Sequence, residues 1–197
     1  MFFLSRWSGG LVTRYGAKLP LIIGPLIAAL GFALFAVPDI GGSYWTTYFP
    51  AVVVLGIGMS VSVAPLTTAV MGAVDPQYVG TASGVNNAVS RTAGLIAIAV
   101  FGIIVLAVFS SVLASNLSVV SVPSGLHQSI IEQQNKLVGI EIPAGLSDTT
   151  HAALQRAIAE SFITSFRVIM LLSSALAICS SLSSLLLIEG KPSQTNK

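Results

Sequence analysis

Charge is scarce in this sequence. Asp, Glu, Lys and Arg make up 8% of its 197 residues, against about 25% in an average soluble domain. The formal net charge is only +2, so there is no basic surface to neutralise phosphates and no case for nucleic acid. Cysteine occurs once, as Cys179. A lone thiol forms no internal disulfide and, without partners, no metal site. The two histidines, His127 and His151, lack the paired spacing of a zinc helix. Gly190-Lys191 lacks the upstream glycine and the following hydroxyl of a phosphate-binding loop. No nucleophile elbow is present. The residues therefore point to no cofactor, no metal, no ATP-driven step and no soluble-enzyme chemistry. The start, Met1-Phe2-Phe3-Leu4, runs at once into Ser5-Arg6, which is not the order of a signal peptide. Residues 1–4 read as the end of a preceding helix, so the chain is expected to be part of a longer protein.

What the sequence has instead is apolar length. The hydrophobic fraction is 54% and the mean hydropathy is +0.88. Four stretches stand out, at 19–37, 48–74, 79–109 and 161–188. Each is long enough to cross a hydrocarbon core about 30 Å thick as a helix. A helix is required there because lipid offers backbone groups no partner. The expectation is an all-α integral membrane protein with four transmembrane helices over 19–188. Span 79–109 exceeds a minimal crossing, so its first turns around Gly80-Thr81-Ala82-Ser83-Gly84 are placed at the interface, with tilt taking up the rest.

The few charges orient the spans. Segment 5–18 carries Arg6, Arg14 and Lys18 and no acid, so it is expected in the cytoplasm. Connection 38–47 carries only Asp39 and goes outside; the turn Asp75-Pro76-Gln77-Tyr78 returns inside. Segment 110–160 sets Lys136 and Arg156 against Glu132, Glu141, Asp148 and Glu160. It is net acidic and is expected outside. The tail 189–197 ends inside. Within 110–160, residues 126–138 have partial helical spacing. Residues 148–166, after an Asp148 cap, are expected to run straight into the last span, which reads as nearly uncharged. The outer segment is a loop-covering helix or a lid. Asn116-Leu117-Ser118 matches a glycosylation acceptor.

Function must be sought in the polar residues of the spans. In 48–74, Gly56, Ser60, Ala64, Thr67 and Met71 share one helical face. That face suits close helix packing through small residues or a cavity wall with hydroxyls and a pliable thioether. Pro65 removes a backbone donor beside it and favours a kink. In 79–109, Gly80, Gly84, Asn87, Arg91, Gly94, Ile98 and Gly102 form a single stripe. Gly80 and Gly84 have close-packing spacing. Arg91 is a full charge that needs protein, water or a counter-charge, and no acid lies in this span or in 48–74. Structural anchoring and substrate contact both fit it.

Two motifs carry a family resemblance. Gly9, Leu11, Arg14, Gly16 and Lys18 resemble the cytoplasmic signature loop of the major facilitator superfamily. Thr13 stands where the family has Asp, and Ala17 where it often has Arg. Pro65-Leu66-Thr67-Thr68, Asp75-Pro76, Gly80 to Asn87 and Arg91-Thr92-Ala93-Gly94 are similar to the fourteen-helix drug:proton antiporter branch, across its twelfth and thirteenth helices. The resemblance covers nearly the whole chain. It implies that 48–74 lines a central cavity, with Ser60, Ala64, Thr67 and Met71 as substrate-cavity residues. It implies that 79–109 packs between halves, with Gly80, Gly84, Asn87, Arg91 and Gly94 as interface and gating residues. The chain would be the C-terminal portion of a proton-coupled exporter of small hydrophobic or amphipathic molecules in the cell (plasma or inner) membrane. Its partners would be the lipid bilayer, a missing N-terminal transporter half, a small-molecule substrate and protons. The competing expectation is a truncated, non-transporting membrane protein that packs through its glycine-rich face. A membrane enzyme ranks below both, because no catalytic cluster supports it.

Overall fold

A computed structural model describes residues 18–41, 43–120, 124–143 and 145–188, without the side chains of Ala64 and Ser124. The described residues are almost wholly helical, with no strand among them. Five α-helices follow in order: α1 Lys18–Phe35, α2 Phe49–Gly72, α3 Val79–Val119, α4 Ser124–Glu132 and α5 Asp148–Leu187. A π-helical turn, Tyr44–Tyr48, leads into α2, and short 3-10 turns fill Pro76–Tyr78 and Gln134–Gly139. α1, α2 with its leading turn, α3 and α5 are each long and apolar enough to cross a membrane. The four expected spans are therefore all present. α2 runs through Pro65 as one helix.

The third and fourth spans are longer than their apolar runs. α3 has 41 residues and α5 has 40. At about 1.5 Å per residue each reaches about 60 Å, twice the hydrocarbon thickness. α3 does not stop at residue 109 because the following serines and Asn116 tolerate a helix and a packed neighbour continues to reward it. α5 starts outside its apolar run for the same reason. Its cap is Ser147, whose Oγ accepts the Thr150 N–H at 3.3 Å. Asp148, expected as the cap, is instead the first helical residue, where its charge favours the N-terminal dipole.

Contacts group the chain into two units. Among the described residues, the first comprises 18–35, 43–95 and 170–188. In it α1 buries Leu21, Gly24, Pro25, Ala28 and Gly31, a stripe at helical spacing. This stripe meets α2 almost backbone to backbone. A Cβ added to Gly31 would lie 2.7 Å from Leu55 Cα, and one on Gly58 would lie 2.8 Å from Ala28 Cα. Gly24 meets the Ser62 hydroxyl in the same way. Only glycine allows these approaches. The last turns of α5 join α1 through hydroxyls: Ser174 Oγ donates to the Ala29 carbonyl and Ser181 Oγ to the Ile22 carbonyl, each at 2.9 Å. Tyr44, Trp45 and Phe49 form an aromatic cluster at the start of α2, with ring centroids 5.6 and 5.3 Å apart. Amphipathic rings of this kind suit a membrane–water boundary.

Among the described residues, the second unit comprises 36–41, 96–120, 124–143 and 145–169. Its core is Phe109, Leu113 and Leu117 of α3, Leu154 and Ile158 of α5, Ile130 of α4, and Ile140. The spacing of four along both long helices puts one stripe of each against the other. Asn116 Nδ2 reinforces the pair, donating to Ser161 Oγ at 3.1 Å and to the Ala157 carbonyl at 3.4 Å. The amide of the Asn116-Leu117-Ser118 triplet thus bonds helix to helix. Gln133 closes the segment after α4. Its Oε1 accepts from the Glu141 N–H at 3.2 Å and from Lys136 Nζ at 3.1 Å. Between them Leu137 holds φ at 52°, a conformation side chains seldom adopt.

Candidate functional site

The proposed cavity face of α2 is divided by the structure. Ser60 is buried, and its Oγ donates to the Gly56 carbonyl at 2.8 Å. Thr67 is exposed, and its Oγ1 donates to the Val63 carbonyl at 3.2 Å. Both hydroxyls therefore bond back to their own helix, leaving lone pairs as their remaining polar capacity. Met71 is half-buried; the Ala64 side chain lies outside the described residues.

The glycine stripe of α3 meets open space. Gly80, Gly84, Asn87, Arg91 and Gly94 are exposed. A Cβ at Gly80, Gly84 or Gly94 would find no atom within 4 Å. Residues 87–100 are in fact exposed on every face of the helix, including Leu95 at 70% and Ile98 at 74%. This apolar segment of α3, with a guanidinium and an amide on one face, is the least covered helical stretch among the described residues. Beside the first turns of α3, a groove of about 610 Å³ runs against α2, lined by Val70, Val74, Tyr78, Thr81, Val85 and Asn86. It takes in Asn86, and none of the five stripe residues borders it.

Of the signature loop, Gly9, Leu11, Arg14 and Gly16 lie outside the described residues; Lys18 opens α1. Among the described residues, no group of His, Cys, Asp and Glu could hold a metal.

The structure adds one residue that the sequence reading passes over. Arg167 lies within the run 161–188, which reads as nearly uncharged. Its Nη2 donates to the Pro38 carbonyl at 3.0 Å and stands 3.7 Å from Asp39 Oδ1. Its Nε is buried and, among the described residues, has no hydrogen-bond partner. From residue 168 to 187 no charge follows, a run of about 30 Å at helical rise. That spacing was legible: Arg167 marks one end of a hydrocarbon-length segment. Further along α5, Arg156 Nε donates to Glu160 Oε1 at 2.8 Å. This bond and the Glu160 charge raise the Arg156 pKa above its already high ordinary value, so the guanidinium stays charged.

Comparison with known proteins supplies the family. The Major Facilitator Superfamily matches over residues 1–98, which include the signature loop, α1, α2 and the start of α3 with Arg91. The chain belongs to the major facilitator superfamily. Two relatives, both Multidrug resistance protein Stp, come from strains CDC 1551 / Oshkosh and ATCC 25618 / H37Rv of Mycobacterium tuberculosis. Each is 28% identical over 179 residues, covering 85% of this chain and 32% of that protein. The chain thus spans about a third of the length of the curated relatives it matches. No solved structure matches. As a major facilitator chain it is a multi-pass membrane protein of a transporter family.

Proposed function

We propose that this chain is the C-terminal portion of a proton-coupled secondary transporter that exports small hydrophobic or amphipathic molecules across the cell membrane. The observation that carries this reading is the similarity to a multidrug resistance protein along 85% of the chain. The structure is consistent with it in one particular way. Residues 87–100 of α3, with Asn87 and Arg91, are exposed on every face among the described residues. A guanidinium in lipid needs protein, water or a counter-charge, so further helices of a longer transporter are the natural cover.

In that reading Ser60, Thr67 and Met71 of α2, with Ala64, face the substrate path. Two hydroxyls already bonded to their own backbone offer weak polar contact on an apolar wall. Such a wall suits molecules bound by shape and apolar area rather than by one specific group. Gly80, Gly84, Asn87, Arg91 and Gly94 form the surface on which the other half rocks between inward- and outward-open states. Proton coupling needs a titrating carboxylate. The described acids Asp39, Asp75, Glu132, Glu141, Asp148 and Glu160 all flank the apolar runs, so the coupling acid belongs to other helices of the transporter.

The test is transport by the full-length protein in vesicles under an imposed pH gradient, with an amphipathic dye as cargo. Dye movement should follow the gradient and stop when an uncoupler collapses it. Movement indifferent to the uncoupler would remove proton coupling. No movement in either case would favour the packing-only alternative.

A further inference from the structure

The groove between the end of α2 and the start of α3 lies wholly in the first unit. Its volume of about 610 Å³ falls within the range of about 300–1,000 Å³ typical of drug-sized sites. Val70 and Val74 of α2 and Val85 and Val89 of α3 form its walls. Among the described residues no charged side chain borders it. The walls are not closed by packing, since Val85 and Val89 are 58% and 63% exposed. The groove is therefore an apolar seat that stays open.

Three polar side chains reach it: Tyr78, Thr81 and Asn86. Tyr78 and Thr81 belong to the turns that enter the helix, which the charge pattern places at the membrane–water boundary. Asn86 lies further along, within the apolar run, and is half-buried. Among the described residues its carboxamide has no hydrogen-bond partner. Asn116 of the same helix shows the contrast, since its amide donates to Ser161 and Ala157. A polar group left unpaired in hydrocarbon costs free energy. Asn86 thus supplies an unmet hydrogen bond beside the apolar seat.

We propose that this groove binds an uncharged, lipid-soluble small molecule that carries a carbonyl. Its apolar body rests on the valines, and its carbonyl oxygen accepts from Asn86 Nδ2. The carboxamide offers two N–H donors, so the fitting group on the ligand is an acceptor. A charged molecule would meet a lining with no counter-charge. A pure hydrocarbon would leave the amide unsatisfied. A phospholipid has ester carbonyls, but its phosphate would find no cation on the lining and would face Asp75, in the turn next to Val74. Binding is read without transport, so failure of this site leaves the export reading standing.

The experiment uses the 197-residue chain in nanodiscs, with benzophenone as the probe. It is a neutral ketone that attaches to nearby C–H bonds under light, and mass spectrometry maps the adducts. Residues 70–89 should be labelled more heavily than 185–187, exposed leucines of α5 that report simple partition into lipid. Excess fluorenone should suppress the extra labelling. Fluorene, which lacks the carbonyl, should need about fivefold higher concentration, the loss expected from one net hydrogen bond. Asn86→Leu should remove that difference between competitors. Ala82→Trp, also on the lining, should abolish the extra labelling by filling the groove. Ala82→Trp risks the fold, whereas Asn86→Leu exchanges one half-buried side chain and keeps the test decisive. Labelling no heavier than at 185–187, equal competition by fluorene and fluorenone, or a difference that survives Asn86→Leu would overturn the site. So would extra labelling seen only in discs of ether lipid, which has no ester carbonyl, because lipid would then be the occupant. Protection that grows with the number of chains per disc would give the groove to a second copy instead.

Discussion

Glycine means opposite things on two helices of this chain, and single substitutions can show it. Gly58 of α2 has no room for a Cβ against Ala28, whereas Gly84 of α3 has open space. Gly58→Ala should therefore destabilise the chain in detergent by about 1–3 kcal/mol, as overpacking does, while Gly84→Ala, within a helix and with open space, should not lower its thermal stability. In the full-length transporter, Gly84→Leu should reduce export at matched expression if the other half docks there. Unaltered export would remove Gly84 from the interface. Arg91 is the parallel case for charge. Arg91→Ala should lower export without harming insertion, since loss of a charge eases insertion. Arg91→Lys should rescue only partly if several donors of the planar guanidinium are used. Val100→Ala is the bland control. Wild-type export by Arg91→Ala would mean that the side chain only snorkels to the interface. At this scale the sequence was half legible. The spacing of Gly80 and Gly84 identified a face able to pack closely, but small-residue spacing does not name a partner. Gly24, Ala28 and Gly31 share that character, and it is they that meet α2, at Ser62, Gly58 and Leu55.

Helices were more legible than residues, because apolar length and periodicity are properties of whole segments. The four spans and the fusion of 148–166 with the last of them follow directly from the pattern. Where helices end was less so. α3 continues to Val119 because its outer turns are held by a neighbour distant in sequence, and local composition carries no trace of that. Asn116 is the point to test. Asn116→Leu should loosen the second unit by about 1 kcal/mol through the lost bonds to Ser161 and Ala157. Faster hydrogen exchange should then appear along residues 109–119 and 154–161, and not in α1. Uniform exchange would show that the apolar stripe alone holds the pair. In the first unit, Ser174→Ala and Ser181→Ala should each cost about 0.6 kcal/mol, the average for hydroxyl and amide bonds between membrane helices. Two turns apart, their effects should add.

The molecule as a whole is read through its asymmetry of charge. Residues 5–18 and 189–197 should face the cytoplasm and 110–160 the outside. Single cysteines introduced at residue 14 and residue 128, on a background lacking Cys179, can be probed with an impermeant thiol reagent. Position 128 should label in intact cells and position 14 only after the membrane is opened; the reverse pattern would invert the topology. The chain covers about a third of its relatives, and on the proposed reading it lacks both an opposing half and a coupling acid. Purified and placed in liposomes under a pH gradient, it should therefore move no dye. Gradient-driven movement that an uncoupler abolishes would refute the division of labour proposed between this chain and the remaining helices. The family was legible from two short motifs. The substrate path was not, since a path needs walls that other helices provide.

The serines of α5 have a consequence for how this protein can drift over evolutionary time. Ser174 and Ser181 donate to main-chain carbonyls of Ala29 and Ile22, and every residue type carries such a carbonyl. The contact is therefore written into one helix only. Position 22 of α1, half-buried, is free to accept many apolar substitutions without loss of the bond. A hydroxyl lost from α5, by contrast, has no replacement that α1 could evolve in compensation.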